Sequence, residues 1–354
     1  MADRHAPDTP ALVIDEAVAL ANIRAFQARC DEVGLSLRPH IKTHKTLHFA
    51  RHQLAAGACG ITCQKIGEAE TMADGGVDDI LITFNVVGAA KLERLRALSR
   101  RLARLAVTTD DASVARGLSG AFADEPTPLG VLVECDTGAG RCGVQSPDEA
   151  LALARLVADL PGLRFAGLMT YPAPGGVEDA ASFMRRSVAL LAEHGIDCPV
   201  VSTGGTPDMG DADPRSVFTE YRIGTYVYND RSLLERGVVA EADCAARVHA
   251  TVVSRPTATR VVVDAGSKAL TSDLMGFLSD YGRVVGHPDA VVRTLSEEHG
   301  VIDGAEDSAL VPGDRIEIIP NHVCVVCNLF DEVWLRREAG ELAPLTVDAR
   351  GKVT

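Results

Sequence analysis

Basic residues are in deficit: 35 Lys and Arg stand against 49 Asp and Glu, so the formal charge is 35 − 49 = −14. Phosphate backbones are bound by basic faces, so no nucleic-acid partner is expected. No run of about 18 apolar residues occurs, which leaves no candidate membrane span. Residues 1–10 are polar and lack the apolar core of a secretory leader, so the expected compartment is the cytoplasm. The nine cysteines are odd in number and scattered at 30, 59, 63, 135, 142, 198, 244, 324 and 327. That pattern argues against a disulfide framework and leaves each cysteine as a small apolar residue or a metal ligand. Internal repeats and low-complexity linkers are also missing.

What remains is an ordinary globular mix, 46% hydrophobic and 24% charged over 354 residues, enough for about two domains. Short apolar runs at 11–14, 60–63, 79–83, 105–107, 129–134, 165–169 and 200–202 read as strands. A further strand is expected at 35–40. Helical periodicity fills the gaps at 15–33, 68–75, 89–106, 147–159 and 179–194. Ser146 with Glu149 three residues later marks a helix start. Strands alternating with helices imply a parallel sheet with right-handed crossovers. Up to eight such units before about residue 235 predict an α/β fold of (β/α)8, TIM type. Beyond 238 the texture turns to short β-rich runs at 246–254, 260–263, 314–319 and 332–336. The expected domains are thus a barrel over 1–237, whose first few residues can pack with the β domain, and a mostly β domain over 238–354.

Lys42 lies in Arg38-Pro39-His40-Ile41-Lys42-Thr43-His44-Lys45-Thr46, at the end of the strand expected at 35–40. Barrel enzymes keep their chemistry at the C-terminal ends of strands. A lysine among cations and partly desolvated has a lowered pKa and can form a Schiff base; a solvated basic loop has the same spacing. His40, His44, His48 and His52 recur every four residues. Interleaved cations and the strand end expected there make a metal site the lesser reading, and most of these histidines are expected at the surface or in a pocket. The run Gly138-Ala139-Gly140-Arg141-Cys142-Gly143 matches GxGxxG, but several βα units precede it, its helix starts late and no acid lies about twenty residues on. It reads as a strand-end loop presenting Arg141 rather than a dinucleotide site.

Ser202-Thr203-Gly204-Gly205-Thr206-Pro207 and Arg222-Ile223-Gly224-Thr225-Tyr226 fall where barrels often hold phosphate. Near the C-terminus, Pro320-Asn321-His322-Val323-Cys324-Val325-Val326-Cys327-Asn328 continues an apolar run. If it is extended, His322 and Cys324 share a face, and imidazole beside thiolate suits zinc or a similar metal. A half-buried structural pair fits the same spacing, and Cys327 would face the other way.

Taken in order, these segments resemble the fold-type III pyridoxal-phosphate enzymes, and more narrowly the D-threonine aldolase and D-serine dehydratase family. The resemblance covers nearly the whole chain. Its further signposts are Asp8-Thr9-Pro10-Ala11-Leu12-Val13-Ile14-Asp15, Ile61-Thr62-Cys63-Gln64-Lys65, Val133-Glu134-Cys135-Asp136, Val263-Asp264-Ala265-Gly266 and Glu298-His299-Gly300. It implies an alanine-racemase-like barrel with a β domain, usually a homodimer. It implies pyridoxal 5'-phosphate with Lys42 as the Schiff-base lysine and Arg141 near the cofactor ring. Tyr171 matches a pocket position. Thr203, Gly204, Gly205, Thr206, Gly224, Thr225 and Tyr226 match phosphate loops. His322 and Cys324 match a pair holding a divalent metal such as zinc or manganese.

The substrate class so implied is a 3-hydroxy-D-amino acid. One outcome is Cα–Cβ cleavage to glycine and an aldehyde. The other is β-elimination to a keto acid and ammonia, as in D-serine or 3-hydroxyaspartate dehydratases. Segments 61–65, 85–88 and 136–144 look more like the aldolases, whereas Cys324 stands where those carry aspartate and the dehydratases carry cysteine. The expectation is an aldolase, with the dehydratase next. A racemase would need a second base, for which Tyr281 is the only tyrosine after Tyr228. A non-catalytic pyridoxal-phosphate binder and an NAD-dependent oxidoreductase are the remaining alternatives.

Overall fold

Strands alternate with helices through the first two-thirds of the chain. In order these are β1 (Ala11–Asp15), α1 (Glu16–Val33), β2 (Ser36–Leu37), α2 (Leu47–Ala56), β3 (Ile61–Cys63), α3 (Ile66–Asp74), β4 (Asp79–Ile82), α4 (Ala89–Ser99), β5 (Arg104–Thr109), α5 (Ala112–Phe122), β6 (Leu129–Cys135), α6 (Pro147–Asp159), β7 (Leu163–Thr170), α7 (Val177–Glu193), β8 (Val201–Gly204) and β9 (Glu220–Arg222). This computed structural model describes residues 7–211, 217–306 and 308–354. The chain gathers into two units. The barrel unit holds Arg24–Lys42, Leu47–Gly224 and Lys352–Thr354. The β unit holds the described residues up to Ile23, Thr43–Thr46 and Thr225–Gly351.

In the barrel unit, β2 through β9 form one eight-stranded parallel sheet in the order β2-β9-β8-β7-β6-β5-β4-β3. A parallel bridge between His40 and Thr62 closes the ring. Helices cover the outside, so strands such as β6 are buried along their whole length, which explains their continuous apolar runs. Local signals set the helix starts. The Ser146 side chain accepts the Glu149 N–H with Pro147 in the first turn of α6, and Asp111 accepts from Ser113 and Val114 at the start of α5.

The barrel also carries a buried polar chain. Arg38 donates to Asp79 at 2.6 Å and to Glu220 at 2.8 Å. Glu220 accepts from Ser202 at 2.6 Å, and Arg222 donates to Ser202 at 2.5 Å and to the Thr170 carbonyl at 2.9 Å. A buried guanidinium is tolerable only when so partnered. The chain fixes Arg222 at the end of β9, beside β8 and its glycine turn.

The β unit adds α8 (Arg231–Glu235), β10 (Ala246–Ser254), β11 (Val261–Val263), α9 (Ser267–Leu270), β12 (Gly282–Val284), β13 (Val291–Leu295), β14 (Gly300–Asp303), β15 (Arg315–Pro320), α10 (Val323–Cys327), β16 (Glu332–Arg336) and β17 (Leu342–Thr346). The pairing β10-β15-β12-β13-β14-β11 returns to β10 and makes an antiparallel ring of six strands. Buried residues alternate with more exposed ones along most of β10, as expected of a strand with one face in a core. β1, β16 and β17 extend the sheet beyond β10.

Several expectations change. The strand expected at 11–14 lies outside the barrel; it pairs antiparallel with β10 and parallel with β16. Its place among the eight barrel strands is taken by β9, a three-residue strand. The helix expected over 89–106 stops at Ser99, because residues from Arg104 pair with β4 and β6 on both sides. α2 and α5 were not anticipated. The extended run does not reach Cys324: β15 ends at Pro320, His322 is extended at the helix start, and Val323–Cys327 form α10. No helix among the described residues is long and apolar enough to cross a membrane.

Candidate active site

Lys42 follows the closing bridge of the barrel, at the C-terminal end of the β2 segment. The Lys42 N–H donates to His40 Nδ1 at 3.3 Å, and His40 Nε2 meets Gln64 Oε1 at 3.1 Å. These two contacts hold the His40 ring between the Lys42 backbone and the Gln64 side chain. Gln64 is itself held by the Thr83 carbonyl at 2.8 Å and by Glu68, which accepts its N–H at 2.8 Å. His40 and His44 are buried, not at the surface; a pocket position is the part of the expectation that burial leaves standing. Only His48 and His52 share a helix, with ring centroids 4.8 Å apart.

Arg141 stands on the loop after β6, exposed to solvent, with its guanidinium carbon 5.0 Å from the Tyr171 ring centroid. Two carboxylates shape that loop. Asp136 accepts from Gly138 at 3.0 Å and Gly140 at 3.1 Å, and Asp110 accepts from Gly143 at 2.7 Å. The loop closes on itself through a Cys135–Val144 bridge before α6 begins, so it is not the strand-to-helix turn of a dinucleotide fingerprint. Burial raises the Glu134 carboxyl above its ordinary range, against the charges of Arg222 and Arg141.

At the end of β8, Gly204 is required by close approach: a Cβ there would lie 2.2 Å from the Arg222 carbonyl oxygen. Gly205 has φ +128°, and a Cβ there would meet only Asp208 at 3.8 Å and Tyr171 at 4.0 Å. Thr203 and Thr206 flank this turn and are buried. Hydroxyls around a side-chain-free turn, beside the fixed Arg222, suit the phosphate of pyridoxal phosphate. Gly224 lies in the same unit. Thr225 and Tyr226 fall in the β unit, in the 3₁₀ turn Thr225–Val227.

In the β unit, His322 and Cys324 flank the start of α10. His322 Nδ1 is 2.6 Å from Asp273 Oδ2. Cys324 Sγ lies 3.1 Å from Thr43 Oγ1 and 3.5 Å from Thr225 Oγ1. Asp230, fully buried, accepts from Ser232 at 2.6 Å and from the Val323 N–H at 3.1 Å, tying α8 to α10. Burial raises the Asp230 carboxyl, opposed by these hydrogen bonds and by His322. Burial disfavours charge on His322, yet Cys324 by hydrogen bond and charge, with Asp273 and Asp230, pushes it up to about 9. An imidazole beside a cysteine sulfur is a donor set that fits a divalent metal. Cys327 differs: it is buried, donates to the His44 carbonyl at 3.4 Å and is pushed up to about 12 by burial. Asp273, Asp230 and Thr43 were not singled out in the sequence as partners of this pair. They come from segments far apart in the chain, and no local pattern marks them.

The "Alanine racemase, N-terminal domain" family model matches residues 14–232, and "Putative serine dehydratase domain" matches 245–335. A D-threonine aldolase from Arthrobacter sp. is 36% identical, over 97% of this chain and 93% of its own length. The crystal structure of D-threonine aldolase from Filomicrobium marinum superposes with a TM-score of 0.90 at 35% identity, covering 98% of this chain and 97% of that one. D-threo-3-hydroxyaspartate dehydratase from Delftia sp. HT23 gives 0.88 at 31%, covering 96% and 97%. A dehydratase of that name has also been solved as a His→Ala variant and, in metal-free form, as a Cys→Ala variant two positions further on. The chain belongs to the D-threonine aldolase and D-serine dehydratase family of alanine-racemase-like, fold-type III lyases.

Proposed function

We propose that this protein is a pyridoxal-phosphate-dependent, metal-assisted lyase that cleaves 3-hydroxy-D-amino acids between Cα and Cβ, giving glycine and an aldehyde. The observation that carries the reading is likeness to D-threonine aldolases over almost the full length of the chain. In this reading Thr203, Gly204, Gly205, Thr206, Gly224, Thr225 and Tyr226 bind the cofactor phosphate. Arg141 and Tyr171 flank its ring. The Lys42 amine holds the cofactor and exchanges protons at the reacting carbon. His322 and Cys324 hold the metal. The cofactor supplies an electron sink for the bond-breaking electrons, and the metal supplies a Lewis acid for the substrate's 3-hydroxyl. A homodimer is part of the same proposal.

Cys324 favours a second reading. A cysteine two positions after a histidine is the pattern altered in the solved dehydratase variants, so β-elimination to a keto acid and ammonia competes. Product analysis with D-threonine and D-serine separates the two. Glycine and acetaldehyde from D-threonine are expected. Pyruvate and ammonia from D-serine, with no acetaldehyde from D-threonine, would select the dehydratase. Absence of both product sets would remove the lyase assignment for these substrates.

A further inference from the structure

Asp273 belongs to no motif used above and lies 49 residues before His322 in the chain. Its two oxygens are committed separately. Oδ1 accepts the Met275 N–H at 2.8 Å, and Oδ2 faces His322 Nδ1 at 2.6 Å. The backbone around it is locked. Asn321, fully buried, donates to the Asp273 carbonyl at 3.2 Å and to the Asp280 carbonyl at 2.6 Å. Arg231 closes the same loop through the carboxylate of Asp280. Thr271 and Met275 on either side of Asp273 both have positive φ, +62° and +53°. Residues with a Cβ rarely adopt that conformation unless their surroundings impose it.

We propose that Asp273 is the positioning residue for the metal-binding histidine. The proposal rests on the reading of His322 and Cys324 as the metal pair. A carboxylate only accepts, so Nδ1 keeps a proton in either charge state of the ring, and the neutral ring that a metal needs carries its one proton there. That leaves the Nε2 lone pair as the donor available to a metal. The hydrogen bond also fixes the plane of the ring, and the negative charge behind it makes Nε2 a stronger donor. Asparagine at this position can present its N–H₂ instead, which would move the proton to Nε2 and block it.

The test is equilibrium dialysis of the cofactor-loaded protein against buffered Zn2+, with bound zinc measured by elemental analysis. Wild type, His322→Ala, Asp273→Asn and Asp273→Glu are compared. Wild type is expected to bind zinc at a site lost in His322→Ala. Asp273→Asn should weaken that site by about 10–100-fold, the range for outer partners of metal-bound histidines. Asp273→Glu, which keeps the charge, should recover part of the loss, a recovery that a merely structural role would not produce. The cofactor absorbance should be the same in all four proteins. If wild type takes up zinc and His322→Ala does not, while Asp273→Asn binds as wild type does, the role of Asp273 is overturned and the metal pair stands. If wild type and His322→Ala bind alike, the metal pair itself falls and the role of Asp273 with it.

Discussion

In the barrel unit the candidate residues sit at the ends of successive parallel strands, each close in sequence to the strand that carries it. In the β unit the residues around Cys324 and His322 come from positions 43, 225, 230 and 273, gathered by loops and short helices. The first arrangement follows from topology, since a parallel barrel collects its strand ends on one face. The second depends on tertiary hydrogen bonds: a buried carboxylate on the α10 backbone, an asparagine pinning a loop, a carboxylate on the imidazole. The difference teaches that motif order can propose residues at strand ends, while the partners of the His322 and Cys324 side chains are found only in the folded chain.

The sharpest way to break this comparison is Lys42→Ala. It should remove turnover by about 10²–10⁴-fold or more, because a positioned proton-transfer group alone contributes that much. The yellow absorbance of bound pyridoxal phosphate should shift or disappear, while zinc uptake at His322 and Cys324 persists. Simultaneous loss of both would mean that the two sets are not separable.

A smaller effect is expected from Gly204→Ala. The added methyl would press on the Arg222 carbonyl, a backbone atom with little freedom to yield. A loss of about 1–3 kcal/mol of stability is expected, with weaker retention of the cofactor. Thermal melts and cofactor titration read the two effects, and an unchanged melting temperature would show that the β8–β9 turn can relax.

The smallest effect concerns the β unit alone. Glu317 faces His249 across β10 and β15 and accepts from Arg247 and Arg336, each at 2.6 Å. The hydrogen bond from His249 leads in lowering its carboxyl well below the usual carboxylate range; burial opposes this and the two arginines reinforce it. A lowered carboxylate stabilises the fold above its unfolded pKa of about 4.3, and that contribution fades as pH falls toward the folded value. Glu317→Gln should therefore cost about 1 kcal/mol at pH 7, since hydrogen bonds to partly buried charges are worth about that much or somewhat more. In urea unfolding the gap to wild type should narrow below about pH 4. A gap independent of pH would show that the charge contributes nothing.

Legibility in the sequence followed the same division. Strands with continuous apolar runs, such as β6, and helices with side-chain caps, such as α6, could be read locally. β9 could not, because Glu220 and Arg222 are charged, and only the folded barrel shows Arg38 paired with Glu220 and the Ser202 hydroxyl accepting from Arg222. α5 is rich in small residues with two glycines, which blurs its period, and the helical pattern of 89–106 runs on into a strand that sheet pairing claims. Cys324 was singled out on the assumption of an extended chain. The structure brings it toward His322 by a helical turn instead, and Asp273 had no sequence signal at all.

The central claim is that the proposed lyase reaction of this chain needs a divalent metal as well as its cofactor. It is tested most directly by glycine release from D-threonine by the cofactor-loaded protein, before and after metal removal verified by elemental analysis. Glycine release should collapse on removal and return with added Mn2+ or Zn2+, while the cofactor absorbance stays constant throughout. Undiminished glycine release from the metal-free, cofactor-loaded protein would contradict the account.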